Sequence, residues 1–440
     1  MEVAVARLKT RISLVLLVLM LLSLQTGSAY AVPAGGFATE RVASSHDDWE
    51  PAIAADDNGH VYQLITRFGA KPACSHCPKV FIVLRRSTDG GATWLPDEYL
   101  CKCRGRKSQY DPVIMVDDQG RVFANWLEGY TPGVVFARSD DFGETWTDPH
   151  PIATPSVSWS DKPWFALSAD GEDVYEYLNG EPRGSPSAVV SYDAGDTWET
   201  PILMPYQKNF GRYYFASGAA VLADGTALNA QTAFRRNYHD GRVFVYVYRS
   251  TDEGKTFTRI KLDSAARGPI CPKGSGCGAG YLGSQIAMAS DAQGNAYVLY
   301  NSAFQPEGPA RVFFSRSTDS GLTWSSPKQL SDAPVGSNHD FPMLVASGEG
   351  IVGAAWMDDR TGMWNTWYRQ SQDGGLTWGA GQRLSNRPDG RRYKTEAGFE
   401  FPYGDYGMLA MGDGKVWATW GESPSYIGPG GVWLTHRSLP

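Results

Sequence analysis

The chain has no excess of positive charge: Lys and Arg total 40 against 47 Asp and Glu, a net charge of −7 over 440 residues. That balance argues against a nucleic-acid partner. Helical periodicity, linkers, charge runs and low-complexity stretches are also missing, which points to a single non-helical domain. Disorder is excluded in turn, because 42% hydrophobic residues suffice to build a core. The apolar run Ile12 to Leu24 falls short of the roughly 18 residues a membrane span needs. It follows Arg7, Lys9 and Arg11 and precedes Ala29-Tyr30-Ala31, the pattern of a cleaved export signal over residues 1–31. The expectation is a mature domain, 32–440, that is secreted or periplasmic, has no membrane span and is a monomer.

Cysteine is scarce, with six residues and none left over after pairing. In an exported protein this suggests a Cys271–Cys277 disulfide and two bridges among Cys74, Cys77, Cys101 and Cys103. A four-thiolate zinc site is the alternative for those four.

Glycine and tryptophan, by contrast, are abundant at 49 and 15 residues. Many of them sit in a repeat. Ser87 to Trp94 reads S-x-D-x-G-x-T-W, and the pattern returns at Ser139–Trp146, Ser191–Trp198, Ser317–Trp324 and Ser371–Trp378, with a Phe-ended copy at Ser250–Phe257. Each octad follows an apolar strand and has hairpin-turn chemistry. The Asp accepts bonds from turn amides, the Gly takes a positive φ and the Trp is expected to pack beneath the next blade. These Asp residues are structural on this reading. Upstream of each octad lies an apolar run, a turn and an alternating strand, and this second signal occurs seven times, the last continuing through Gly431 to Ser438. Phe37–Val42 looks like Gly379–Leu384, so the N-terminal strand should complete the C-terminal unit. About four strands per unit, repeated radially, make an all-β, four-stranded antiparallel β-propeller. The repeat count gives seven blades, or six if the 212–257 region folds differently.

The octads are Asp boxes, and nearly all of the chain beyond residue 31 resembles the sialidase-type (BNR-repeat) propellers. That resemblance implies a glycosidase with an arginine triad for the substrate carboxylate, a Tyr–Glu nucleophile pair and an Asp acid. The arginine of the family's Arg-Ile-Pro motif is missing from the matching Trp49-Glu50-Pro51, where Glu50 stands instead. Tyr406-Gly407-Met408-Leu409 is similar to the family's Tyr-Ser-x-Leu, which makes Tyr406 the candidate nucleophile with Glu422 as its partner and Asp48 as the acid. Asp405-Tyr406 has a plainer reading too, a polar turn before an inner strand.

Topology locates the site independently. Octads join the third and fourth strands on one face, so loops joining blades, and loops between second and third strands, share the opposite face. That mouth should gather Asp47, Asp48, Glu50, Asp111, Asp161, Lys162, Tyr213, His339 and Asp340, together with Arg67, Glu128, Asp358 and Glu422. Arg360, Arg235, Arg67, Asp405 and Asp340 are the candidate substrate-binding residues. Paired carboxylates suit glycoside hydrolysis, and a carboxylate ring also suits Ca²⁺; no other cofactor is indicated. The functions in view are a sialidase-like exo-glycosidase acting on glycans, a non-catalytic glycan- or protein-binding propeller, and a metal-dependent lyase or hydrolase.

Overall fold

A computed structural model describes residues 34–39, 41–42, 46–69, 78–100, 107–129, 133–152, 160–180, 184–206, 212–235, 241–268, 284–362, 364–385, 394–395, 398–399, 407–421 and 431–440. Residues 1–31, assigned above to the export signal, and all six cysteines lie outside this set. Among the described residues no helix is long and apolar enough to cross a membrane.

The strands form seven four-stranded antiparallel sheets. Blade I comprises Asp47–Ala55, Val61–Phe68, Val80–Ser87 and Glu98–Tyr99. Blade II comprises Gln109–Val116, Val122–Glu128, Gly133–Ser139 and His150–Pro151. In blade III the strands are Asp161–Leu167, Val174–Gly180, Ser185–Ser191 and Ile202–Leu203. Blade IV contains Arg212–Val221, Ala227–Arg235, Arg242–Ser250 and Thr258–Ala266. Blade V has Ile286–Ser290, Ala296–Ser302, Arg311–Ser317 and Lys328–Gln329. Blade VI has His339–Ser347, Ile351–Asp358, Asn365–Ser371 and Gln382–Arg383. Blade VII takes Met408–Gly412, Lys415–Gly421 and Val432–Ser438 from the C-terminal end, and Arg41–Val42 as its outermost strand.

The ring therefore closes as the repeat predicted, with Arg41 opposite Leu434 and Val42 opposite Trp433. Ala38 N donates to His436 O at 2.7 Å, and Phe37 buries its ring edge-on to Tyr368 in blade VI. The 212–257 region forms an ordinary four-stranded blade with longer strands. Its outermost strand has nine residues, where every other described blade has two.

In the first Asp box, Ser87 Oγ donates to Asp89 Oδ1 (2.8 Å) and accepts from Gly91 N (2.8 Å). The Thr93 amide and hydroxyl donate to the two Asp89 oxygens at 2.8 and 2.6 Å. The other five boxes repeat the pattern. These bonds, led by Thr93, hold the Asp89 carboxyl down at about 2.

One expectation is corrected. The box tryptophan packs against the preceding blade, not the next: Trp198 lies 5.1 Å from Phe136 of blade II, and Trp378 lies 5.0 Å from Phe314 of blade V. The reason is the turn itself. Gly90 N bonds to Gly59 O in blade I, Ala194 N to Glu172 O in blade III and Gly374 N to Gly350 O in blade VI, which ties these boxes to their own blades' first hairpins. The glycine backbone then presses flat on the previous blade's aromatic core, so a Cβ at Gly195 would meet Phe136 at 2.1 Å.

Candidate functional site

The box-to-hairpin bonds put both kinds of turn on one face, which leaves the starts of the first strands on the other. There the inner strands of blades I, II, III, IV and VI each carry a β-bulge, seen as a register shift such as that between Trp49 and Ala52. In four of them the bulge residue is left-handed and precedes a proline: Glu50 (φ 48), Asp111 (φ 53), Lys162 (φ 51) and Phe341 (φ 54). Proline supplies no amide, so the ladder breaks there, and the extra residue re-aims its side chain. Non-glycine residues at positive φ are strained and cluster at functional sites.

The bulge side chains link blade to blade. Glu50 Oε2 accepts from Thr66 Oγ1 at 3.2 Å and from the Asp111 amide of blade II at 3.1 Å. Lys162 Nζ of blade III lies 3.4 Å from both Asp111 oxygens and 5.7 Å from the centroid of Phe215 in blade IV. Gln285 Oε1 accepts from the Phe341 amide at 3.0 Å. Asp161 accepts from the Tyr213 hydroxyl at 2.8 Å. Burial, then the Asp161 charge, raises the Tyr213 phenol well above its ordinary value.

The sequence-derived candidates divide into three groups. Asp48 and Arg67 come together as cross-strand neighbours in blade I. Asp48 is fully buried and its two oxygens accept from Arg67 Nε and Nη2 at 2.9 and 3.1 Å, while Arg67 Nη2 also reaches Asp97 at 2.8 Å. Burial alone would lower the Arg67 value, but Asp48 and Asp97 more than reverse it. Arg360 is gripped likewise, by Asp358 and Asp332 at 2.7 Å each, with its guanidinium 3.8 Å from the Trp367 centroid. Asp340, also in blade VI, accepts from Asn301 Nδ2 of blade V at 2.6 Å. Beside Asp358, His339 is fully buried, and desolvation lowers its value against the pull of the Asp358 charge.

The second group is known by its backbone alone: Arg235 ends the second strand of blade IV, directly opposite Arg212. The third group, Tyr406, Glu422 and Asp405, lies outside the described residues. Among the described residues no group of three or more His, Cys, Asp or Glu is placed to hold a metal. The bulge chain Glu50–Asp111–Lys162 was visible only as scattered mouth residues. Its signal in the sequence is the x-Pro step near the start of four of the seven inner strands: Glu50-Pro51, Asp111-Pro112, Lys162-Pro163 and Phe341-Pro342.

Below the mouth the axis is partitioned. A small cavity of about 30 Å³ is walled by Trp164, Phe215, Ser217, Gln285, Pro342 and Gly407, among others. Trp164, Met288, Leu344, Met408 and Leu409 separate it from a wider funnel of about 440 Å³ lined by the inner strands of all seven blades.

Seven four-stranded blades, six of them carrying an Asp box, surround a mouth of bulged, charged inner strands, and the fold is a seven-bladed β-propeller. No protein-family model matches it. It is 26% identical over 289 residues to a sialidase of Bacteroides fragilis (strain YCH46), a stretch covering 57% of this chain and 49% of that protein. The chain thus spans about half the length of the curated relative it matches. Among solved structures, a polysaccharide lyase of family PL25, an ulvan lyase, superposes with a TM-score of 0.52 at 12% identity, covering 92% of this chain and 94% of that one. The Hadza microbial sialidase Hz136 gives a TM-score of 0.46 at 17% identity, over 89% of this chain and 66% of that one.

Proposed function

We propose that this protein is an exported, sialidase-like glycoside hydrolase that removes terminal acidic sugars such as sialic acid from glycans at the propeller mouth. The observation that carries the proposal is the mouth itself, where strained bulges on consecutive blades bring carboxylates, a lysine and a hydrogen-bonded Tyr–Asp pair to one axis. Likeness to a curated sialidase over more than half of the chain supports the same reading. Tyr406 with Glu422 is the nucleophile pair in this proposal. Asp48, buried and bidentate to Arg67, is a positioning residue for that arginine rather than the acid. Turnover of a fluorogenic sialoside and a panel of aryl glycosides tests the activity. Tyr406→Phe should lower kcat at least about a hundredfold while the protein stays folded. Folded wild-type protein that cleaves none of these substrates sinks the hydrolase reading.

A second reading, a glycan-binding propeller without catalysis, is favoured by one observation: Arg67 and Arg360 are each already occupied by two carboxylates. Glycan-array binding without hydrolysis is its signature.

A further inference from the structure

Three parts of the chain meet at His339, in the seam between blades V and VI. The residue opens the first strand of blade VI directly opposite Asp358, and both side chains are fully buried. His339 Nδ1 lies 2.8 Å from Ala310 O of blade V, and a carbonyl can only accept, so the ring proton sits on Nδ1. Nε2 therefore carries a lone pair, and it accepts the hydroxyl of Ser331, on the linker between the two blades, at 2.5 Å. The same nitrogen is 3.6 Å from Asp358 Oδ2. That oxygen already accepts from Trp356 Nε1 at 2.9 Å and from Arg360 Nε and Nη2 at 3.0 and 2.7 Å. Three more charges stand around the ring. Arg311 of blade V bonds the linker carbonyls of Pro334 and Ser337, Asp332 holds the far side of Arg360, and Asp340 follows His339 on its own strand, bonded to Asn301.

We infer that His339 is an acid-operated latch on Arg360: uncharged, it holds the Ser331 hydroxyl and leaves Asp358 to the arginine, and protonated, it claims Asp358 and frees the fork. A proton added at Nε2 removes the acceptor of the Ser331 hydroxyl and aims a second cation at a carboxylate that Arg360 already occupies. Asp358 is sealed from water, so the competition is settled by what the arginine can do. Arg360 keeps 11% of its side-chain surface in solvent, and its second acid, Asp332, is 39% exposed. It can leave at little cost, lifting off the Trp367 ring whose centroid is 3.8 Å away. Burial favours the neutral ring and the Asp358 charge opposes it, so the latch opens below the ordinary value of 6.5. The device is built into the seam and depends on no activity at the mouth.

The test is fluorine NMR of the full chain labelled with fluorotryptophan, the Trp367 signal being assigned by its loss in Trp367→Phe, together with thermal unfolding over the same pH range. In wild type the Trp367 signal should shift with a midpoint below 6.5. Tm should fall as pH drops through that range, because the unfolded chain takes up a proton there that the folded one does not. His339→Gln keeps an acceptor for Ser331 and has no proton to gain, so it should lose both the shift and that part of the decline. Comparing the two proteins cancels every other titration. Ser331→Ala, a milder change, removes the bond that favours the neutral ring, so its Trp367 midpoint should rise by about half to one pH unit. A Trp367 signal that titrates equally in His339→Gln overturns the inference. So does a signal that stays still in wild type while Tm falls, which would leave His339 a seam residue with no hold on Arg360. An unmoved or lowered midpoint in Ser331→Ala overturns it as well.

Discussion

Glu176 sits at the interface of blades III and II, fully buried, with Asn125 Nδ2 donating to it at 2.7 Å. Desolvation dominates, and the Asn125 bond offsets it only in part, so the carboxyl is pushed up from 4.5 to about 8. The folded protein therefore keeps a proton that the unfolded chain has released throughout that window. Stability is highest near the ordinary value and falls as pH rises towards 8. Thermal unfolding should show Tm declining between about pH 5 and pH 8, and Glu176→Gln should flatten the decline and raise Tm at pH 8. A variant with the wild-type slope would show that Glu176 does not titrate in this way. The residue scale is also where the sequence was least legible. Asp48 and Arg67 could both be assigned to the mouth, yet their pairing depends on a one-residue offset at the Trp49/Ala52 bulge. Period-two alternation carries no sign of an extra residue until the x-Pro steps are compared across blades.

At the scale of the turn and the strand, the repeat was readable because the Asp box is a local structure. Its Ser, Asp, Gly and Thr bond to one another within the octad, so the pattern survives in any blade. Which neighbour the box leans on is a tertiary matter, and there the expectation failed. The consequence is measurable at Gly375, where φ is +79 and a Cβ would lie 2.4 Å from the Phe314 ring of blade V. Gly375→Ala combines backbone strain with overpacking and should cost about 2–4 kcal/mol. Gly225→Ala, at φ +80 with nothing within 4 Å, should cost only about 1–2 kcal/mol, from strain alone. Chemical denaturation of both variants makes the comparison, and equal losses would mean that contact with the preceding blade contributes nothing.

Over the whole molecule, seven blades and closure by the N-terminal strand followed from counting, because blades are additive units and the odd half-units at the two ends had to complement each other. The height of blade IV did not follow, since its longer strands spread the spacing between boxes without altering the boxes. Closure also makes the N-terminal segment energetically expensive to damage. Phe37 is 4% exposed, packs on Tyr368 and lies beneath the Arg437 guanidinium. Phe37→Ala should cost about 3–5 kcal/mol and lower Tm by several degrees, although residue 37 lies far in sequence from Tyr368 and Arg437, which it packs against. A Tm within a degree of wild type would show that the seam contributes little to stability.

That seam also orders events in time. Ala38 and Thr435, hydrogen-bonded across it, are 397 positions apart in the chain. On a ribosome, this segment is made before all the blade strands it joins, yet it is among the last to find its place. It must wait unpaired while six blades assemble beside it. A seam strand of only two ladder residues, Arg41 and Val42, offers few amides for a wrong sheet edge to capture in the meantime.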